Sequence, residues 1–193
     1  MTKQLQTRTV ELKCDPTCEA QDIQNLLAGT AIEISGTLLT IRDASAKRLV
    51  RLLEADAPLP VSLTGMLLYA VGPSPAKPGQ VIGSAGPTTT ARLSSYLPAL
   101  LRAGICGVIG KGDLPTEMVA GLIEHQAVYL AAVGGLGALL GKTVQSATVV
   151  AFEDLGPEAI FQFEVIKLPG VVIVDTLGQN FHKMAREAWR RHY

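Results

Sequence analysis

Charge is scarce in this chain. Charged residues make up 18% of its 193 positions and apolar residues 48%, with a mean hydropathy of +0.29, where roughly a quarter charged is usual for a globular domain. A chain this apolar that does not cross a membrane is expected to hide part of its surface against a partner. Neither sign of charge is in excess. Lysine plus arginine equals aspartate plus glutamate at 17 each, so no overall basic field exists to hold nucleic acid. No lysine/arginine cluster precedes an apolar helix, which excludes a lipid-surface helix of that kind. Long apolar runs are missing too. Residues 57–76 are interrupted by Pro58, Pro60, Gly65, Gly72, Pro73 and Pro75, and residues 127–141 are short and broken by Gly134, Gly135 and Gly137; neither makes a membrane span. Residues 1–10 are polar and lack the apolar core of a signal peptide. The expected location is the cytoplasm. Cysteine is sparse and odd in number: Cys14, Cys18 and Cys106. That argues against a disulfide framework. Cys14 and Cys18 read either as half of a metal site or as two ordinary thiols, and no second pair or histidine cluster follows them. Cys106, inside an apolar run, reads as a small core residue.

The length suits one domain, taken as residues 1–193, with a sizeable core. Strands are expected at residues 9–12, 32–41 (β-branched, with a bulge or bend at Gly36), 66–71, 81–82, 106–109, 128–132, 145–152 and 161–166, and residues 171–175 are apolar. Helices are expected at 19–27, 43–54 (with Ala44, Leu49, Leu52 and Leu53 inward), 88–103 (kinked at Pro98), 114–126, 136–140 and 180–191. Prolines and glycines make residues 72–80 a surface loop. The middle, residues 81–132, alternates strand and helix, which implies a parallel layer. With the flanking strands, a compact β/β/α domain fits better than a plain doubly wound sheet.

Three segments carry chemistry. In Gly83-Ser84-Ala85-Gly86-Pro87-Thr88-Thr89-Thr90-Ala91-Arg92, small residues let backbone approach a ligand. Proline suits the first position of a helix, and a helix start attracts an anion. Thr88 and Arg92, four apart, are expected on one helix face beside those amides. The alternative is a threonine-capped helix with a solvated arginine. The glycines do not form a nucleotide loop. The second segment, Ile109-Gly110-Lys111-Gly112, lies at the C-terminal end of a buried strand, where α/β sheets bind ligands; Lys111 either reaches inward or is a plain turn lysine. The third is Thr40-Ile41-Arg42-Asp43. Asp43 is expected to cap the helix that follows, and Arg42 is either a surface charge or a second carboxylate clamp. His125, His182 and His192 form no catalytic arrangement with a serine or cysteine. The basic terminal run from Arg186 reads as a solvated face or a partner grip, and Trp189 within it can dock on something.

Together, residues 36–44, residues 83–89 with Arg92, and Gly110-Lys111-Gly112 resemble, in order and spacing, the β subunit of class I fumarases and tartrate dehydratases. Gly134-Gly135, residues 152–159 and Val174-Asp175 with Gly178 resemble it as well. The resemblance implies a swivelling β/β/α domain and a hydro-lyase acting on a small hydroxy-dicarboxylate, such as malate to fumarate or tartrate to oxaloacetate. It implies a [4Fe-4S] cluster carried by a separate α subunit, with the active site at the subunit interface and no metal on this chain. Carried over by position, it implies Thr88 as catalytic base and Arg42, Arg92, Lys111, Gly86 and Thr89 as substrate-binding residues. Two departures stand out. Ala46 occupies a place where the family usually has histidine, and Thr90-Ala91 replaces a small residue and glycine; the pocket is therefore expected to differ from one for malate and fumarate. The competing reading is an orphan module that binds a dicarboxylate or other anion without turning it over, and a third is a pure assembly scaffold.

Overall fold

The computed structural model describes residues 10–14 and 23–190. Cys18, residues 19–22 of the expected helix at 19–27, and residues 191–193 lie outside them, so the paired-thiol reading of Cys14 and Cys18 has no structural counterpart here.

Seven strands form one sheet: β1 (Val10–Cys14), β2 (Ala31–Ile41), β3 (Leu67–Ala70), β4 (Gly107–Gly110), β5 (Val128–Ala131), β6 (Val144–Ala151) and β7 (Ile160–Val174). Their order is β1-β2-β3-β4-β5-β7-β6, and β7 also pairs with β2, so the sheet closes on itself. The strands β2 to β5 run parallel through Leu39–Ile41, Leu67–Tyr69 and Gly107–Gly110. Strand β7 is antiparallel to β2, β5 and β6.

The parallel strands are buried on both sides, and the pleat divides their side chains between two cores. Leu68, Ala70, Val108 and Tyr129 face a core shared with helices α1 (Asp43–Glu54), α2 (Leu97–Arg102) and α3 (Thr116–Glu124), through residues such as Leu49, Leu100 and Met118. Leu67, Tyr69, Ile109, Val128 and Leu130 face the other core, shared with Ile34, Leu38, Phe163 and Val165 of the antiparallel strands. Helix layer, parallel layer and antiparallel layer make the β/β/α arrangement. Among the described residues two more helices follow, α4 (Gly137–Gly141) and α5 (Phe181–Arg190). Among the described residues no helix is long and apolar enough to cross a membrane.

Several sequence expectations change. The strand expected at 161–166 and the apolar residues 171–174 are one strand, because the chain passes Lys167 at φ 53° as a bulge, with its amide donating to Ser35 Oγ at 3.1 Å. The opposed irregularity falls between Ile34 and Gly36, where the bend in β2 was expected. The strand expected at 81–82 is absent from the sheet. Loop residues there bond to each other instead, Gly83 N to Ser74 O at 3.0 Å and Ser84 N to Ser74 Oγ at 2.6 Å. Helix α1 buries Ser45, Ala46, Val50 and the expected Leu49; Leu53 packs partly buried against the same core, while Ala44 and Leu52 are half-buried. Its stripe is rotated because Ser45 turns inward, accepting from Arg42 N at 3.0 Å.

Candidate active site

The site segments converge at the C-terminal edge of the parallel strands, and the expected helix at 88–103 does not exist in one piece. Residues after Pro87 run extended. Pro87 bridges Val71 in antiparallel fashion and Thr89 bridges Lys111 in parallel fashion. Thr88 N donates to Ala70 O at 2.7 Å, Lys111 N to Thr88 O at 3.1 Å and Thr90 N to Lys111 O at 3.1 Å. Only then does a single 3-10 turn, Thr90–Leu93, form, followed by α2 with Pro98 in its first turn. Thr88 and Arg92 are therefore not neighbours on a helix face, and no helix start presents amides at Thr88. The strand ends β3 and β4 have unpaired backbone groups, and capturing residues 87–90 satisfies them.

This capture joins two segments that sequence could only list side by side. Thr88 and Lys111 are backbone partners. Gly110 is required for it, since a Cβ there would collide with Thr90 Oγ1. Thr90 is fully buried and donates to Tyr129 Oη at 3.3 Å, and Tyr129 donates to Gly112 O at 2.9 Å. Burial pushes the Tyr129 phenol up to about 12, so it stays a neutral donor at neutral pH. The Thr88 hydroxyl donates to Ala70 O at 2.9 Å.

Loop 83–86 is fixed from both sides. Tyr69 Oη donates to Ala85 O at 2.5 Å and Ala85 N donates to Gly137 O at 2.9 Å. Gly86 packs directly on Gly137; a Cβ at Gly137 would come within 3.0 Å of Gly86 N. Gly134 lies beside the Lys111 stem, 3.5 Å from Cδ to where its Cβ would be.

Arg42 follows β2 on the same edge. Its guanidinium lies against Gly72, whose Cβ would meet Nη1 at 2.8 Å, and Nη2 pairs with Glu158 Oε1 at 3.2 Å. Arg92 reaches across to Asp43, Nη1 to Oδ2 at 3.8 Å, with its side chain 60% exposed. Asp43 does not cap α1. Arg42 holds the cap position, Asp43 is the first helical residue, and the acceptor for Ala44 N is Glu158 Oε2 at 2.9 Å. Lys111 is exposed and makes no ion pair among the described residues. Arg42, Arg92 and Lys111 are thus set against Asp43 and Glu158, which leaves the rim cationic. Thr89 is exposed beside Lys111 and Gly86 is half-buried. Ala46 is fully buried in the helix-side core.

Sequence reading missed the two carboxylates that hold the arginines. Glu158 lies in the 3-10 stretch Glu153–Glu158, with no periodicity to mark it. It also missed a clamp on the loop after Lys111. Asp113 Oδ2 accepts from Arg186 Nη1 at 2.7 Å, and His182 Nδ1 bonds Asp113 Oδ1. The terminal helix is therefore gripped through part of its polar face, while Trp189 is 71% exposed. Arg186, and secondarily His182, hold the Asp113 carboxyl below the usual carboxylate range. A depressed folded pKa stabilises above the ordinary carboxylate value and ceases to do so as pH falls through the folded one. Amide protection of α5 is therefore expected to fall below about pH 4 while that of β3 persists. Hydrogen exchange measured from pH 6 to 3 checks this, and unchanged α5 protection would count against the clamp.

Among the described residues no three histidine, cysteine or acidic side chains converge on a metal site. Cys106 immediately precedes β4 and lies at the opposite end of that strand from Lys111, with Sγ 3.2 Å from Gly65 O. Among the described residues, Cys106 is thus placed away from the edge that carries Lys111.

Comparison with known proteins matches residues 1–185 to the family described as Fumarase C-terminus. The chain is 31% identical over 169 residues to a Methanocaldococcus jannaschii protein named for the beta subunit of L(+)-tartrate dehydratase, covering 84% of this chain and 87% of that one. It is 31% identical over 154 residues to the anaerobic class I fumarate hydratase of Escherichia coli, covering 79% of this chain and 28% of that one. It is 29% identical over 164 residues to fumarate hydratase 2 of Leishmania major, covering 84% and 29%. The chain thus spans under a third of the fumarate hydratases it matches and most of the Methanocaldococcus protein.

Proposed function

Because this chain belongs to the fumarase C-terminal family, we propose that it is the β subunit of a hydro-lyase that reversibly dehydrates a small hydroxy-dicarboxylate, completed by a cluster-bearing α subunit. The observation that carries the reading is the bridge of Thr89 with Lys111, in which Lys111 N bonds Thr88 O at 3.1 Å, on the edge that also presents Arg42 and Arg92. The Methanocaldococcus relative named for a beta subunit, nearly coextensive with this chain, supports a separate α chain. In this reading the [4Fe-4S] cluster that the family resemblance implies is carried by that partner.

This chain's residues hold the substrate and move its proton. Arg42 and Lys111 take the carboxylates, Arg by paired donors and Lys as a point charge. Arg92 joins them by exchanging Asp43, an exposed pair at 3.8 Å that is cheap to break. Gly86 and Thr89 line the rim. Thr88, deprotonated, accepts the proton from the carbon next to a carboxylate; the C–H electron pair becomes the double bond as the C–O bond breaks, and the departing hydroxide takes a proton from solvent and leaves as water. Charge builds on that carboxylate, and the cations placed beside it stabilise the transition state. They also favour the threonine alkoxide.

The test is anaerobic co-purification with the α chain, followed by a panel of malate, fumarate and tartrate. Activity is expected only in the pair. Substantial hydration of fumarate by the isolated, iron-free chain refutes the subunit reading. Binding without turnover by the loaded pair would favour the orphan anion-binding module instead.

A further inference from the structure

Glu158 makes contacts that the proposed chemistry does not use. One oxygen, Oε2, accepts from Ala44 N at 2.9 Å in the first turn of α1, where a carboxylate is favoured by unpaired amides and the helix dipole. The other, Oε1, faces Arg42 Nη2 at 3.2 Å. The turn that carries Glu158 is itself tied to α1. Arg48 grips Asp154 through two bonds, at 2.6 and 2.7 Å, and stacks over the Phe152 ring at 5.4 Å. Pro157 O and Arg42 Nη1 each lie 2.8 Å from the place a Gly72 Cβ would occupy, so the same turn also packs near the Arg42 head. Arg42 Nε is buried without an acceptor among the described residues. The guanidinium therefore has one fixed partner and donors left over.

We infer that Glu158 is a positioning residue: anchored by the start of α1, it holds Arg42 by one nitrogen and so aims the remaining donors at a substrate carboxylate. The substrate half of this inference rests on the hydro-lyase reading; the Glu158–Arg42 coupling does not.

Glu158→Gln separates the two jobs. The amide oxygen can still accept from Ala44 N, so the cap persists, while the charge facing Arg42 is gone. In the αβ pair, E158Q is expected to raise KM for the hydroxy-dicarboxylate roughly tenfold with a smaller change in kcat, the size of one lost charge-assisted bond. E158D, with charge kept and reach shortened, should fall between E158Q and wild type. In an Arg42→Lys background, E158Q should add little, because Glu158 acts through Arg42. An unchanged KM, or the same fold-change in both backgrounds, overturns the inference.

A second measurement needs no turnover. Nitrogen-15 spectra of arginine side chains in the isolated full chain should show slow guanidinium rotation at Arg42 in wild type and fast rotation in E158Q, with circular dichroism confirming the fold. Rotation unchanged by E158Q overturns the coupling even if the pair is active. Should E158Q not fold, E158D in the same spectra decides, with unaltered rotation again counting against it. If the wild-type pair turns over none of the acids, the hydro-lyase reading fails, and the spectra alone decide what Glu158 does.

Discussion

Thr88→Ala in the αβ pair is expected to lower kcat about a thousandfold, the middle of the range for removing a positioned proton acceptor, with KM little changed. The reason it should separate chemistry from folding lies in Ala70. That carbonyl accepts both the Thr88 amide, at 2.7 Å, and the Thr88 hydroxyl, at 2.9 Å. Deleting the hydroxyl leaves the carbonyl bonded and the extended segment paired to β3 and β4. The expected stability loss is therefore under about 1 kcal/mol. Thr88→Ser keeps the oxygen and should keep most of the rate, whereas Thr88→Val keeps the shape and should behave like alanine. A fall confined to kcat marks an interaction made only in the transition state. Near-wild-type turnover by T88A, measured on the assembled pair, would remove Thr88 from the mechanism.

Stability should respond most to Asp175. It is fully buried at the end of β7. Its Oδ1 accepts from Leu177 N at 3.1 Å and Gln179 N at 2.9 Å, and its Oδ2 from Ala28 N at 3.1 Å. A buried carboxylate is tolerable only when its lone pairs are taken up in this way. Asp175→Ala strands three amides at once. Water can reach some of them through the cavity left behind, so the sum is not simple, but a loss of about 3 kcal/mol or more is expected. Asp175→Asn retains one acceptor oxygen and should cost less. Urea unfolding of the three proteins checks the order. An Asp175→Ala midpoint equal to wild type would mean these bonds carry no net stability. The contact also spans the chain, since Ala28 precedes β2, so its loss should loosen the approach to β2 before the parallel layer.

Much of the architecture was legible because it is written in local pattern. The β-branched run of β2, its Gly36 bend, the helix Asp43–Glu54 and the short apolar strands β3 to β5 all follow from periodicity and turn residues. Lys111 at the end of a buried strand was legible for the same reason, and the family resemblance gathered Arg42, Thr88 and Arg92 beside it. What failed were readings that needed a particular partner distant in sequence. Residues 161–166 read as a strand of their own, apart from the apolar residues 171–175. In the fold they are one strand, because β2 supplies pairing along almost its whole length. Asp43 looked like a helix cap by position alone, yet the α1 start is capped from 114 residues away by Glu158.

The segment around Thr88 marks the division most sharply. Sequence by itself determined that small residues, proline, threonines and an arginine follow one another there, and that a helix begins nearby. It determined the cations and their order along the chain. Only the tertiary structure decided that Thr88 lies outside any helix, paired to Lys111, with Arg42 and Arg92 held by Glu158 and Asp43. A helix start satisfies amides from within its own next turn, so it can be read locally. The ends of β3 and β4 offer these residues bonds to Ala70 and Lys111 instead, and those partners come together only when the parallel layer forms.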